Sequence, residues 1–357
     1  MVGVKESGHC TRRGGQRWRG HCFGAHLSIA GGMHHAIEAA LRLGFDTVQV
    51  FVKNQRQWGA ASLVRDDVDR WHELLQTPGF GPPVAHATYL INLASAEDAL
   101  WRRSRTALAA ELQRCHVLAI PYLVVHPGAA GQQPRERAIA RVAAALNRLF
   151  DEQPHLTTMV LLETTAGQGT TLGRTFAELA AIVGQVQEPQ RVGVCIDTCH
   201  VFAAGYDIRE PHLYEQMIQL AARQVDLRRV RCWHINDSQG ELGSHLDRHE
   251  HVGLGCIGDA GFRNVLADRR FVGLPIILET AKGRNSDGEE WDAVNLRRLQ
   301  VLARRARWTD LQADTPRRDR TLGPSVTARA APERTRHSSS CCRRRRSPRR
   351  PRPPPAG

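Results

Sequence analysis

Between residues 22 and 302 the chain alternates two patterns of apolar and polar positions. Short apolar runs occur at Cys22–Ser28, Thr47–Val52, Val84–His86, Tyr122–His126, Thr158–Glu163, Val192–Asp197, Val230–His234 and Pro275–Glu279. Between them, apolar residues recur at the three- and four-residue spacing of an amphipathic helix, over 33–43, 66–75 and 96–119 for example. Strands that read as continuous apolar runs belong to parallel sheets covered on both faces. Eight such runs, each followed by a helical or loop crossover, predict an α/β fold of the (β/α)8 TIM-barrel type, with its active site at the C-terminal ends of the strands. An open doubly wound sheet is the alternative. It would carry a Gly-x-Gly-x-x-Gly turn after its first strand and gather its chemistry at one switch point, and neither pattern is present.

Polar residues close six of the runs: His86, His126, Glu163, Asp197, His234 and Glu279. Successive members are separated by the length of one helix-containing unit, so on a barrel the six converge. His200, three residues past Asp197, enlarges the set, as do Asp247 and His249 in the polar segment Gly243–His251 after the seventh run. Imidazole and carboxylate without thiolate suit zinc or a similar divalent ion in a catalytic site with open positions. Five histidines and four carboxylates exceed the needs of one tetrahedral ion and match two or three. Three divalent ions against four carboxylates leave a charge of about +2, which calls for an anionic substrate such as a phosphate ester. The remaining histidines, His245 and His251 among them, are expected to be structural, and Cys195 and Cys199 to pack as small apolar groups.

Charge alters this picture only at the ends of the chain. The formal net charge is +13, but Pro316–Gly357 carries +11 of it and Met1–Cys22 carries +4, so residues 23–315 are left at −2. An Arg/Pro/Ser-rich segment cannot bury enough apolar surface to offset its ordering entropy. The expected organisation is therefore a disordered basic leader (1–22), one barrel domain (23–310) and a disordered tail (311–357). Nine cysteines with no repeated Cys-x-x-Cys spacing argue against a disulfide framework or zinc ribbon and point to a reducing, cytoplasmic setting. No apolar run has the roughly 18 residues of a membrane span.

Read with their neighbours, these residues closely resemble the endonuclease IV family of apurinic/apyrimidinic (AP) endonucleases over about 24–302. The likeness rests on Gly24-Ala-His-Leu-Ser28, Lys53-Asn-Gln-Arg-Gln-Trp58, Tyr89-Leu-Ile-Asn92, His126-Pro-Gly128, Glu163-Thr-Thr-Ala-Gly-Gln-Gly169, Cys195–His200, His234-Ile-Asn-Asp-Ser238, Asp247-Arg-His249 and Leu278-Glu-Thr280. The resemblance implies three zinc ions. His86 and His126 would hold one, with Glu163 bridging to a second on Asp197, His234 and Glu279, and His200, Asp247 and His249 would hold the third. It further implies that Glu163 is catalytic and orients the attacking hydroxide. Arg56 and Tyr89 would enter the DNA at the lesion and His26 would support the ligands from behind, whereas Trp58 is expected to pack beneath the 53–58 loop. The implied partner is double-stranded DNA with abasic sites or blocked 3′ ends, acted on by a monomer that requires no membrane. The implied reaction is hydrolysis 5′ to the abasic site, leaving a 3′-hydroxyl and a 5′-deoxyribose phosphate, with trimming of blocked 3′ ends. A metal-dependent sugar isomerase of similar architecture is the nearest rival, but it leaves His200, Asp247, His249 and the 53–58 loop unexplained. A nucleic-acid binder working through the arginine tail is the rival from another class.

Overall fold

The computed structural model describes residues 20–306, within which the eight apolar runs form eight parallel strands. In chain order they are β1 (Cys22–Ala25), β2 (Gln49–Phe51), β3 (Val84–His86), β4 (Tyr122–Val125), β5 (Met159–Glu163), β6 (Val192–Asp197) and β7 (Val230–His234), followed after a hairpin, β8 (Asp237–Ser238) and β9 (His249–Glu250), by β10 (Pro275–Leu278). The sheet order β1-β10-β7-β6-β5-β4-β3-β2 is that of a TIM barrel. Its last seam, between β1 and β2, is closed by one parallel bridge, His26 to Gln49, with the Leu27 amide donating to the Gln49 carbonyl at 2.9 Å. The helices α1 (His34–Leu43), α2 (Arg65–Leu75), α3 (Asp98–Val117), α4 (Arg135–Glu152), α5 (Phe176–Val183), α6 (Thr198–Ala204), α7 (Pro211–Val225), α8 (Gly258–Ala267) and α9 (Trp291–Arg305) occupy the crossovers.

Alternation along the strands divides the apolar residues between two cores. One side of each strand packs outward on the helices, as Phe23, Val50, Leu162, Ile196, Trp233 and Leu278 do. The other side fills the barrel with Val84, Val124, Leu161, Cys195, Cys232 and Ile277, one from each of six strands. β1 contributes Gly24 at the barrel wall, where a Cβ would stand 2.8 Å from Ile277 Cδ1 and 2.9 Å from the Thr47 carbonyl oxygen, so any side chain there would collide with backbone.

One boundary differs from that of the expected domain organisation. The barrel begins before residue 23: Cys22 is fully buried in β1, and the buried His21 ring lies 3.1 Å from the Leu266 carbonyl oxygen. β6 passes directly into α6, whose N-cap is Asp197 itself, accepting from the His200 amide at 2.9 Å. Residues 1–19 and 307–357, which include nearly all of the leader and the whole tail, lie outside the described residues.

Candidate metal centre

The barrel's inner layer determines what stands above it. Two positions beyond Val84, Val124, Leu161, Cys195, Cys232 and Ile277 come His86, His126, Glu163, Asp197, His234 and Glu279. A two-residue step returns a side chain to the same face of a strand, so the apolar layer and the polar layer are consecutive rungs of one barrel interior. His200 reaches this layer from the first turn of α6, and Asp247 and His249 enter on the hairpin, where Ser238 pairs with His249. The nine expected ligands gather at the C-terminal end of the barrel: His86, His126, His200, Asp247, His249 and Glu279 line a cleft of about 320 Å³ together with Tyr89 and Arg248, and Glu163, Asp197 and His234 are fully buried.

They form three groups. His86 Nε2 and His126 Nε2 lie 3.2 and 2.9 Å from Glu163 Oε2. His234 Nδ1 lies 2.8 Å from Glu163 Oε1, 3.0 Å from Glu279 Oε2 and 3.9 Å from Asp197 Oδ2. His200 Nε2 and His249 Nε2 face Asp247 Oδ1 at 3.2 and 3.6 Å. Glu163, whose two oxygens serve the first two groups, is fully buried.

The far sides of the rings decide what these nitrogens can do. His86 Nδ1 donates to the Ala87 carbonyl at 2.7 Å, His200 Nδ1 to the Thr164 carbonyl at 2.8 Å and His249 Nδ1 to the Glu279 carbonyl at 3.3 Å. In a neutral imidazole that leaves an Nε2 lone pair pointing at carboxylate oxygens, a repulsive arrangement unless a cation lies between them. His200 Nε2 and His249 Nε2 are in fact buried without any hydrogen-bond partner, which is costly unless a cation is coordinated there. The donor set thus fits divalent metal ions.

Electrostatics point the same way. Burial opposes charge on His200, but Asp197, Asp247 and Glu163 outweigh it and raise its pKa well above the usual histidine range. Burial also opposes ionisation of Glu163 and Glu279, yet His234 and its neighbours hold both well below the usual carboxylate range. Against burial, the nearby imidazoles of His200, His249 and His126 draw Asp247 down to about 2. A field that favours positive charge at these rings favours a divalent cation in place of the protons.

Outside the expected ligands, Tyr89 is 62 % exposed and stands on the cleft, its ring centre 5.4 Å from that of His86 and 6.2 Å from that of His126. Arg56 is exposed on the β2–α2 loop, its amide capped by Asn54 Oδ1 at 2.9 Å. A buried network binds these two loops: Lys53 Nζ donates to the Gln57 carbonyl at 2.5 Å and sits 3.4 Å from Glu111 Oε1, Glu111 accepts from the Thr88 amide at 3.2 Å, and the Thr88 hydroxyl donates to the Gln55 carbonyl. Trp58 is half-buried, with the Arg103 guanidinium 4.4 Å from its ring centre. His245 and His251 take structural positions, the first bonded to the Ala166 carbonyl at 2.9 Å and the second stacked 3.7 Å from Trp291. Cys195 belongs to the barrel's inner apolar layer.

Sequence reasoning missed Gln49, which completes the polar rung on β2 as His26 does on β1. Its signal was a lone amide in the middle of an otherwise apolar strand, Thr47-Val-Gln-Val-Phe-Val52.

Residues 37–302 match the family described as Xylose isomerase-like TIM barrel. The chain is 48 % identical over 282 residues to the probable endonuclease 4 of Chloroflexus aggregans, an alignment covering 79 % of this chain and 98 % of that protein. Among solved structures it is similar to endonuclease IV from Thermus thermophilus, with 38 % identity, a TM-score of 0.69, and coverage of 80 % of this chain and 99 % of that one. A D-tagatose 3-epimerase-like protein, 18 % identical with a TM-score of 0.59 over 79 % of this chain and 98 % of its own, shares the fold alone.

Proposed function

The chain belongs to the endonuclease IV family, and from that premise we propose that it is a zinc-dependent repair endonuclease that hydrolyses the phosphodiester 5′ to abasic sites in duplex DNA. The products are a 3′-hydroxyl and a 5′-deoxyribose phosphate, and the same site trims blocked 3′ ends. The supporting observation is the ring of nine ligand side chains in three groups, whose third group, His200, Asp247 and His249, has two buried imidazole nitrogens with no partner. A sugar isomerase reading gives that group no role.

Three zinc ions fit the groups, held by His86, His126 and Glu163, by Glu163, Asp197, His234 and Glu279, and by His200, Asp247 and His249. Zinc, when bound, supplies Lewis acidity, lowering the pKa of water toward ~7 and stabilising charge on the attacking and leaving oxygens of an in-line displacement. The protein's own contribution is placement. Glu163, buried between two groups with an oxygen toward each, holds a fixed acceptor there and orients the attacking water. Tyr89 presents an exposed ring beside the cleft and Arg56 a planar cation from the neighbouring loop, and both fill the gap left in the base stack by the missing base. An abasic nucleotide has already lost its stacking, so turning it toward the ligands costs less than turning an intact one. The protein acts as a monomer on cytoplasmic DNA, and no helix among the described residues is long and apolar enough to cross a membrane.

The test is a labelled duplex carrying one abasic-site analogue. The native chain should cut it to a 3′-hydroxyl end, chelator should stop the reaction, and Glu163→Gln should lose at least ~100-fold in rate. Intact duplex with about three zinc ions on the native chain would overturn the reading.

A further inference from the structure

His234 differs from the other ligand histidines whose far nitrogen is pinned. His86, His200 and His249 each donate Nδ1–H to a backbone carbonyl and turn Nε2 toward the carboxylates. His234 turns Nδ1 toward Glu163 and Glu279, and its Nε2 meets no backbone group but the Gln49 side chain, at 2.8 Å to Oε1. Both residues are fully buried.

The direction of the Gln49 amide is fixed by its surroundings. Its Nε2 lies 2.6 Å from Glu279 Oε1 and 3.0 Å from His26 Nδ1. An ionised carboxylate can only accept, so the NH2 end must face Glu279 and the carbonyl end must face His234. His234 Nε2 is therefore the protonated nitrogen, and Nδ1 is left to face Glu163 Oε1, Glu279 Oε2 and, at 3.9 Å, Asp197 Oδ2. The same amide engages one oxygen of Glu279, leaving Oε2 directed at His234 Nδ1. Gln49 also forms the bridge with His26 that closes the barrel, so its backbone is held by the seam while its side chain spans two ligands.

We propose that Gln49 is a positioning residue of the metal centre: it selects the Nε2–H form of His234 and orients Glu279, so that this pair offers Nδ1 and Oε2 to the cation it shares with Glu163 and Asp197. The inference rests on the metal-centre reading above. Partners of this kind typically contribute 10–100-fold in metal affinity.

The test uses the full chain, native and as Gln49→Met and Gln49→Glu, titrated with zinc against a chromophoric chelator and examined by 15N NMR of labelled histidine. In the zinc-loaded native chain one ligand histidine, His234, should be bound through Nδ1 with a protonated Nε2. Gln49→Met, which keeps the volume but neither polar contact, should weaken one of the three zinc ions about 10–100-fold and lose that signature, while KM for abasic DNA stays within about twofold. Gln49→Glu retains an acceptor for Nε2–H but loses the donor to Glu279, so it should keep the His234 signature and still bind that ion more weakly. If Gln49→Met binds three ions as tightly as the native chain, or if the native chain ligates His234 through Nε2, the Gln49 assignment alone is overturned. A native chain that takes up no zinc overturns the metal-centre reading and this inference with it. Should Gln49→Met fail to fold, the Gln49→Glu signature decides: loss of Nδ1 ligation there overturns the assignment.

Discussion

Lys53 and Glu111 form an ion pair beneath the two loops proposed to meet DNA, with side chains 2 % and 1 % exposed. Replacing Lys53 with Met leaves Glu111 buried without its countercharge and removes the hydrogen bond to the Gln57 carbonyl. Breaking a buried pair by deleting one partner costs about 3–5 kcal/mol, because the survivor must be buried uncompensated or neutralised. Removing both charges is far cheaper. Gln at 111 keeps an acceptor for the Thr88 amide, so Lys53→Met/Glu111→Gln should lie within about 1–2 kcal/mol of the native chain, the remainder being lost hydrogen bonds. Acidity should separate this account from simple loss of packing. Burial already raises the Glu111 pKa above 4.5 despite the Lys53 charge opposing it, and loss of Lys53 must raise it further. The folded state then holds a proton that the unfolded state releases, so the variant's stability relative to the native chain is higher at low pH and is lost as pH rises through the folded pKa. Urea unfolding of chelator-treated native and variant proteins at about pH 5.5 and about pH 8 measures both quantities. A single-variant cost under about 1 kcal/mol, equal costs at the two pH values, or a double variant no more stable than the single one would refute the reasoning.

Tyr89→Ala and Arg56→Ala should each raise the Kd for abasic duplex about tenfold, equivalent to ~1.4 kcal/mol, with three zinc ions still bound; gel-shift titration and metal analysis check this together. His200→Ala removes one ligand of the third group only, so metal analysis after dialysis should fall from three zinc ions to two, and an unchanged count would contradict the grouping. Gly255→Ala places a Cβ 2.4 Å from the Ser238 carbonyl oxygen and 2.6 Å from Asp237 Oδ1, where backbone must shift, and should cost about 1–3 kcal/mol in urea unfolding. Chelator treatment of the native chain should lower Tm and zinc should restore it, since ions that bind only the folded state stabilise it by mass action.

What the sequence determined by itself is the barrel and the polar residues that end its strands. The strands were readable because their apolar runs are local, and the six inward polar residues at His86, His126, Glu163, Asp197, His234 and Glu279 because alternation of side chains along a strand is local too. Val84–His86, Val192–Asp197 and Val230–His234 form with the boundaries the pattern predicts. Grouping the ligands required neighbours in space. Only the folded chain brings Glu163 between His126 and His234, and only the hairpin after β7 carries Asp247 and His249 back over α6 to His200. Lys53 reads in sequence as one more surface cation of the loop, yet it is buried against Glu111 on α3, beyond the next strand in the chain. Gln49 reads as a polar flaw in an apolar strand, and its meaning depends on Glu279 and His234, roughly two hundred residues distant. Periodicity is written along the chain. Which buried group answers which, and therefore which nitrogen of a ring carries the proton, is decided only where the barrel closes.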